Sequence, residues 1–135
     1  MSPLHAIAFA LGLLVGACST LPAAAYPAPV DELAAVHSAW VAGGFPACAT
    51  YELYVLEASA AERLQRCRQP VPSCLASTRT GMMTRVPLAV VSPEYPDGWR
   101  HEFWHSLEAC AGWPYDHAHT GPQWSDAARA RAGIP

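Results

Sequence analysis

Apolar positions along the chain change their period several times, and each change predicts an element. Residues 6–17 (AIAFALGLLVGA) are an unbroken uncharged run, too short for a permanent membrane span but of the length of a signal-peptide core. From Asp31 the pattern turns helical, with Leu33, Val36 and Trp40 on one stripe and Gly43-Gly44 as the stop; Asp31 is the expected N-cap. Residues 50–56 (TYELYVL) are rich in aromatic and branched side chains and predict a strand. Ser59, with Glu62 three positions on, predicts a short capped helix ended by Pro70 and Pro72. A second strand is expected over 83–92, at a sheet edge because Pro87 lacks an N–H.

The last strong pattern runs from Asp97, the expected N-cap, to Gly112 and Pro114. Within it Trp99, Phe103, Leu107 and Cys110 form a core-facing stripe, while His101, His105 and Glu108 share another face. Beyond Pro114 the sequence reads as turns, closing on a short helix near SDAARARA. Helices and short strands without repeats predict a small single-domain α+β fold, with the helix that bears His101, His105 and Glu108 packed on a short sheet.

Composition narrows the setting. The net charge is −3, with eight Arg and no Lys, and neither a basic surplus nor a basic run supports nucleic-acid binding. The first apolar run ends in Leu14-Val15-Gly16-Ala17-Cys18, which resembles the bacterial lipobox. That resemblance implies a signal peptide over 1–17, lipidation of Cys18, and a membrane-anchored envelope protein. Ser19 follows the cysteine, and by analogy with enteric lipoproteins this implies the outer membrane, facing the periplasm. Residues 18–29, Ala- and Pro-rich and without charge, are expected to be a tether, leaving 30–135 as the domain. Four further cysteines, Cys48, Cys67, Cys74 and Cys110, are an even count with no C-x-x-C. In an exported domain they are read as two structural disulfides, with three pairings open.

His101-Glu102-Phe103-Trp104-His105 is an H-E-x-x-H. On a helix its histidines lie one turn apart on one face, able to share a zinc ion, with Glu102 beside them as general base. A catalytic zinc usually takes a third protein ligand and keeps one open position. The candidates follow at once: Asp116, His117 and His119, just past Gly112-Trp113-Pro114. The pairing of a helical H-E-x-x-H with downstream ligands resembles the zincin metallopeptidases. The metzincin spacing fails, because Glu108 and Ala111 stand where Gly and the third His belong. A gluzincin arrangement fails because no Glu follows Glu108, and the aspzincin match of Gly112 with Asp116 is weak.

The tail is similar to small bacterial proteins carrying H-E-x-x-H followed by G-W-P-x-D-H. That resemblance, about twenty residues long, implies His117 as third ligand, with Asp116 or His119 as alternative ligand or supporting residue. It also implies Zn2+ as cofactor and hydrolysis of a peptide or protein by metal-activated water. Tyr95, Arg100, Tyr115 and His119, all near the motif in sequence, are the candidate oxyanion donors, with no choice among them. The alternative is a non-catalytic envelope lipoprotein in which zinc is structural. A di-iron site is excluded, since no second E-x-x-H exists.

Overall fold

In a computed structural model, residues 20–81 and 84–135 are described; the signal-peptide and Cys18 expectations lie outside them. The expected small α+β domain is what forms. In chain order the elements are β1 (Tyr26–Pro27), α1 (Val30–Ala42), β2 (Tyr54–Glu57), α2 (Ala60–Cys67), β3 (Ser73–Thr80) and β4 (Thr84–Val91). A 3-10 turn at Pro96–Gly98 then leads into α3 (Trp99–Cys110). A second 3-10 turn, Pro122–Trp124, precedes α4 (Asp126–Ala132). The sheet is mixed, in the order β1-β2-β4-β3. β2 runs parallel to β4 from Tyr54↔Leu88 to Glu57↔Val91, and β3 and β4 form an antiparallel hairpin.

Alternation along the strands feeds two apolar layers. Val55, Ala89 and Val91 face α1, α3 and α4, meeting Leu33, Val36, Trp40, Phe103, Trp104 and Leu107. Leu56, Leu88 and Val90 face the other way, toward Leu21, Ala25 and the α2 residue Cys67. β4 is thus apolar throughout its second half because both its faces are covered.

It is an interior strand, not the edge strand that Pro87 suggested. β2 begins to pair with β4 only at Leu88, so the N–H that Pro87 lacks falls just before that ladder. β3, which the sequence pattern did not reveal, is the edge on that side. Its Ser- and Thr-rich pattern lacks the apolar alternation expected of a strand.

Local signals behave unevenly. Ser59 Oγ accepts from Glu62 N–H at 3.3 Å, as the capping pattern predicted. α1 starts at Val30 with Pro29 as N-cap, which places Asp31 inside the first turn. Likewise Asp97 lies in the 3-10 turn before α3 and pairs with Arg100 at 3.2 Å. The stretch expected as a free tether is built into the fold from Thr20 onward. Leu21 N–H donates to Arg79 O at 2.9 Å, Tyr26–Pro27 pairs with β2, and Ala28 is buried.

Two disulfides close the open pairing question: Cys48–Cys110 and Cys67–Cys74. The first spans 62 residues and fastens the end of α3 to the loop after α1; the second spans 7 and joins α2 to β3. On a chain-entropy basis they contribute about 4 and about 2 kcal/mol respectively. Among the described residues no helix is long and apolar enough to cross a membrane.

Candidate metal centre

α3 carries the site, and both its apolar and its polar face are largely enclosed up to Glu108. Trp99, Phe103 and Leu107 enter the core as the stripe predicts, whereas Cys110, the fourth member, is exposed and bonded to Cys48; Trp104 joins the core, its indole N–H donating to Gln123 O at 2.8 Å. The opposite face is polar and also buried: Glu102 is 2% exposed, His105 1% and Glu108 0%. The roof over this face is the chain after α3. Gly112, with φ +75°, lets the helix end in a Schellman turn in which Trp113 N–H bonds Glu108 O and Gly112 N–H bonds Ala109 O, both at 3.0 Å. Trp113 then packs on Trp40 and Phe45, and the chain folds back across the histidines.

This return brings His119 to His101 and His105. Ligand atoms of His101, His105 and His119 all lie within 4.8 Å of one another, and the Nε2 atoms of His105 and His119 are 3.1 Å apart. Three nitrogens at ~2.0–2.1 Å from one zinc in tetrahedral geometry are about 3.3 Å apart, close to the His105–His119 separation and below the widest spacing in the group. His117 is outside this group; it is exposed, with its ring 4.3 Å from that of Tyr115, and it lines the same cleft. Asp116 is also outside it and shapes the loop instead. Its Oδ2 accepts from Gly121 N–H at 2.8 Å, and its carbonyl accepts from His119 N–H at 3.2 Å. His119 itself is left-handed, φ 54°, a conformation uncommon for a non-glycine residue and frequent at ligand-holding positions.

Behind the histidines stands a hydrogen-bond network. Glu108 Oε1 meets His105 Nδ1 at 2.5 Å, and its Oε2 accepts from Gln123 Nε2 at 2.7 Å and Trp124 Nε1 at 3.1 Å. With Glu108 as acceptor, Nδ1 of His105 carries the hydrogen and Nε2 keeps its lone pair for a metal. The Trp124 ring packs against all three histidines, 4.2 to 4.8 Å between centroids. Tyr115 stacks on His105 at 4.0 Å. Burial, then the neighbouring His105, His119 and Arg129, push the His101 imidazole down to about 4. Burial likewise lowers His105, outweighing the pull of Glu108. Both rings are therefore neutral near pH 7, the form that binds metal.

Glu102 differs from Glu108. Its Oε1 accepts from Ser73 Oγ at 2.9 Å, but its buried Oε2 has no hydrogen-bond partner among the described residues. Burial, opposed in part by Ser73, raises its carboxyl to about 7. Burial and the charges of Glu102 and Glu108 push the Tyr115 phenol up to about 12. A cleft of about 740 Å³ opens over these groups, lined by His101, Glu102, His105, Tyr115, His117 and His119 on one side. Of the expected oxyanion donors, Tyr95 and Tyr115 line it, whereas Arg100 is tied to Glu32 at 2.8 Å and to Asp97.

The three-histidine group could hold a metal ion: its ligand atoms lie close together, the rings of His101 and His105 are neutral, and the orphaned carboxylate oxygen belongs to the neighbouring Glu102. Sequence reasoning did not find Ser73, which is far along the chain from the histidines, nor Gln123 and the ring contacts of Trp124, which follow His119 across a turn. For Glu108 the signal was present, since it stands three residues after His105 on the same face. Comparison with protein-family models, with curated proteins and with solved structures returns no match for this chain.

Proposed function

We propose that this chain is a zinc-dependent metallopeptidase of zincin-like character, lipid-anchored through Cys18 in the bacterial envelope and facing the periplasm. One observation carries the reading: three convergent histidines, His101, His105 and His119, share a cleft with the half-satisfied carboxylate of Glu102. A merely structural zinc site has no need of that orphaned oxygen, and burying it is costly. The ligand set we favour exchanges His117 for His119.

Bound zinc supplies a Lewis acid that polarises a carbonyl and lowers the pKa of its water toward about 7. The residues do the rest. Glu108 holds His105 in one tautomer, and Asp116 holds the loop that presents His119. Ser73 fixes one oxygen of Glu102, leaving Oε2 to take a proton in the cleft and deliver it to the leaving amine. Tyr115, stacked on His105, keeps its hydroxyl as the donor for the developing oxyanion.

The test uses the full chain in detergent. One zinc per chain is expected, lost in the His101→Ala/His105→Ala double variant; zinc retained there overturns the site. Glu102→Gln should keep the metal and lose peptide hydrolysis, and cleavage at the parent rate would remove Glu102 from the chemistry.

A further inference from the structure

The outer wall of the cleft, which the metal and the base do not use, carries its own chemistry. It is the segment between β4 and α3, where Glu94, Tyr95 and Asp97 all line the cavity. Pro93 and Pro96 stiffen this segment. Glu94 N–H donates to Ser92 Oγ at 3.3 Å, Tyr95 N–H to Ser92 O at 3.0 Å, and Gly98 N–H to Tyr95 O at 3.0 Å. The carboxylates are therefore presented from a pinned turn, at little entropic cost to a ligand that meets them.

Their charge is not cancelled. No Arg and no Lys lines the cleft. Arg100 reaches Asp97 at 3.2 Å but divides its charge with Glu32 at 2.8 Å, and Glu94 has no ion-pair partner among the described residues. Tyr95, between them in sequence and lining the same cleft, is 68% exposed, while Tyr115 is 43% exposed there. An exposed ring between two acids is suited to the apolar stem and cationic head of a lysine or arginine side chain. A second observation marks the space as a ligand site: Glu102, which lines the same cleft, has a buried Oε2 without a hydrogen-bond partner among the described residues.

We infer that this cleft selects peptides bearing a Lys or Arg side chain beside the bond to be cut, with Glu94, Asp97 and Tyr95 receiving the cationic group. The inference rests on the peptidase reading above, and its test separates the two. The zinc-loaded full chain would be given matched fluorogenic peptides with Lys, Gln or Glu at the positions flanking the scissile bond. Binding of the same peptides to zinc-loaded Glu102→Gln would be measured in parallel. A Lys-over-Glu preference of about tenfold in kcat/KM is expected, a ratio that a pair of partly solvated carboxylates can supply. Glu94→Gln/Asp97→Asn should bring that ratio close to one, while Glu52→Gln, on a different cleft, should move it far less; equal effects would reduce the preference to net charge and overturn the inference. Cleavage of Lys and Glu peptides at equal rates overturns the inference and leaves the peptidase standing. Selective binding of the Lys peptide without any cleavage upholds the inference and removes the peptidase. Neither cleavage nor selective binding overturns both.

Discussion

Glu102 and Glu108 lie six residues apart on the same helix, both almost fully enclosed, yet their surroundings differ. Glu108 has donors at both oxygens: His105 on one, Gln123 and Trp124 on the other. Glu102 has Ser73 on one oxygen and nothing on the second. A buried carboxylate with every lone pair engaged is a rigid part of the structure, whereas one left half-paired carries a desolvation penalty that the fold must offset elsewhere. The contrast separates two tasks on one helix. On the proposed reading, Glu108 fixes the position of a ligand and Glu102 is held ready to exchange a proton. Such uncompensated groups concentrate at sites of function, where stability is given up for reactivity.

The largest effect expected from breaking this contrast is on the satisfied side. Glu108→Ala leaves His105 Nδ1, the Gln123 amide and the Trp124 indole without their acceptor inside the protein. Removing one member of a buried charged network of this kind destabilises by about 3–5 kcal/mol. Removing the partner of a ligating histidine lowers metal affinity by about 10–100-fold. Denaturant unfolding of the metal-free protein and zinc titration against a competing chelator measure the two. If Glu108→Ala unfolds at the parent midpoint and binds zinc as tightly, then Glu108 is not what positions His105.

The unsatisfied side should respond with the opposite sign. Glu102 has its folded-state pKa raised from 4.5 to about 7, so between those values the folded protein keeps a proton that the unfolded chain has released. The stability of the metal-free protein therefore falls as pH rises through that window and levels off above it. Glu102→Gln resembles the protonated form and still accepts from Ser73. It should be more stable than the parent by about 2–3 kcal/mol at pH 8, and equal to it below about pH 4.5. A variant that is less stable at pH 8 would mean that Glu102 is satisfied after all, and the contrast with Glu108 would fail.

The helix bearing both carboxylates was legible in sequence, and so was its core stripe, because period 3.6 and the H-E-x-x-H spacing are local properties. The α+β class was legible for the same reason. What escaped was non-local. β3 is amphipathic only weakly, and it lies along α3 through Ser73, whose bond to Glu102 crosses 29 residues. Pro87 suggested an edge from its own chemistry, yet whether a strand is an edge depends on which neighbours arrive and where their pairing begins. The third histidine was ambiguous for a related reason. His117 and His119 are two residues apart in a turn, and spacing alone does not tell which ring the loop directs inward. That direction is set by the Schellman turn at Gly112, the packing of Trp113, and the left-handed backbone of His119.

The smallest effect expected distinguishes a loop former from a ligand. Asp116 is held below the usual carboxylate range mainly by the Gly121 N–H, with further help from the backbone of Thr120 and His119. Its lowered pKa means that the contribution is fully present at neutral pH and is lost only as pH falls below the ordinary carboxylate range. Asp116→Ala removes the acceptor that closes the turn, so His119 has to be ordered when the metal binds. Zinc affinity at pH 7 should fall by less than about tenfold, against the larger loss expected for Glu108→Ala. Asp116→Asn retains a side-chain oxygen for Gly121 N–H and should lose less still. Chelator competition on Asp116→Ala, Asp116→Asn, His117→Ala and His119→Ala, side by side, ranks the four. His119→Ala should lose most and His117→Ala least; a loss in Asp116→Ala equal to that in His119→Ala would make the carboxylate itself a ligand and the turn incidental.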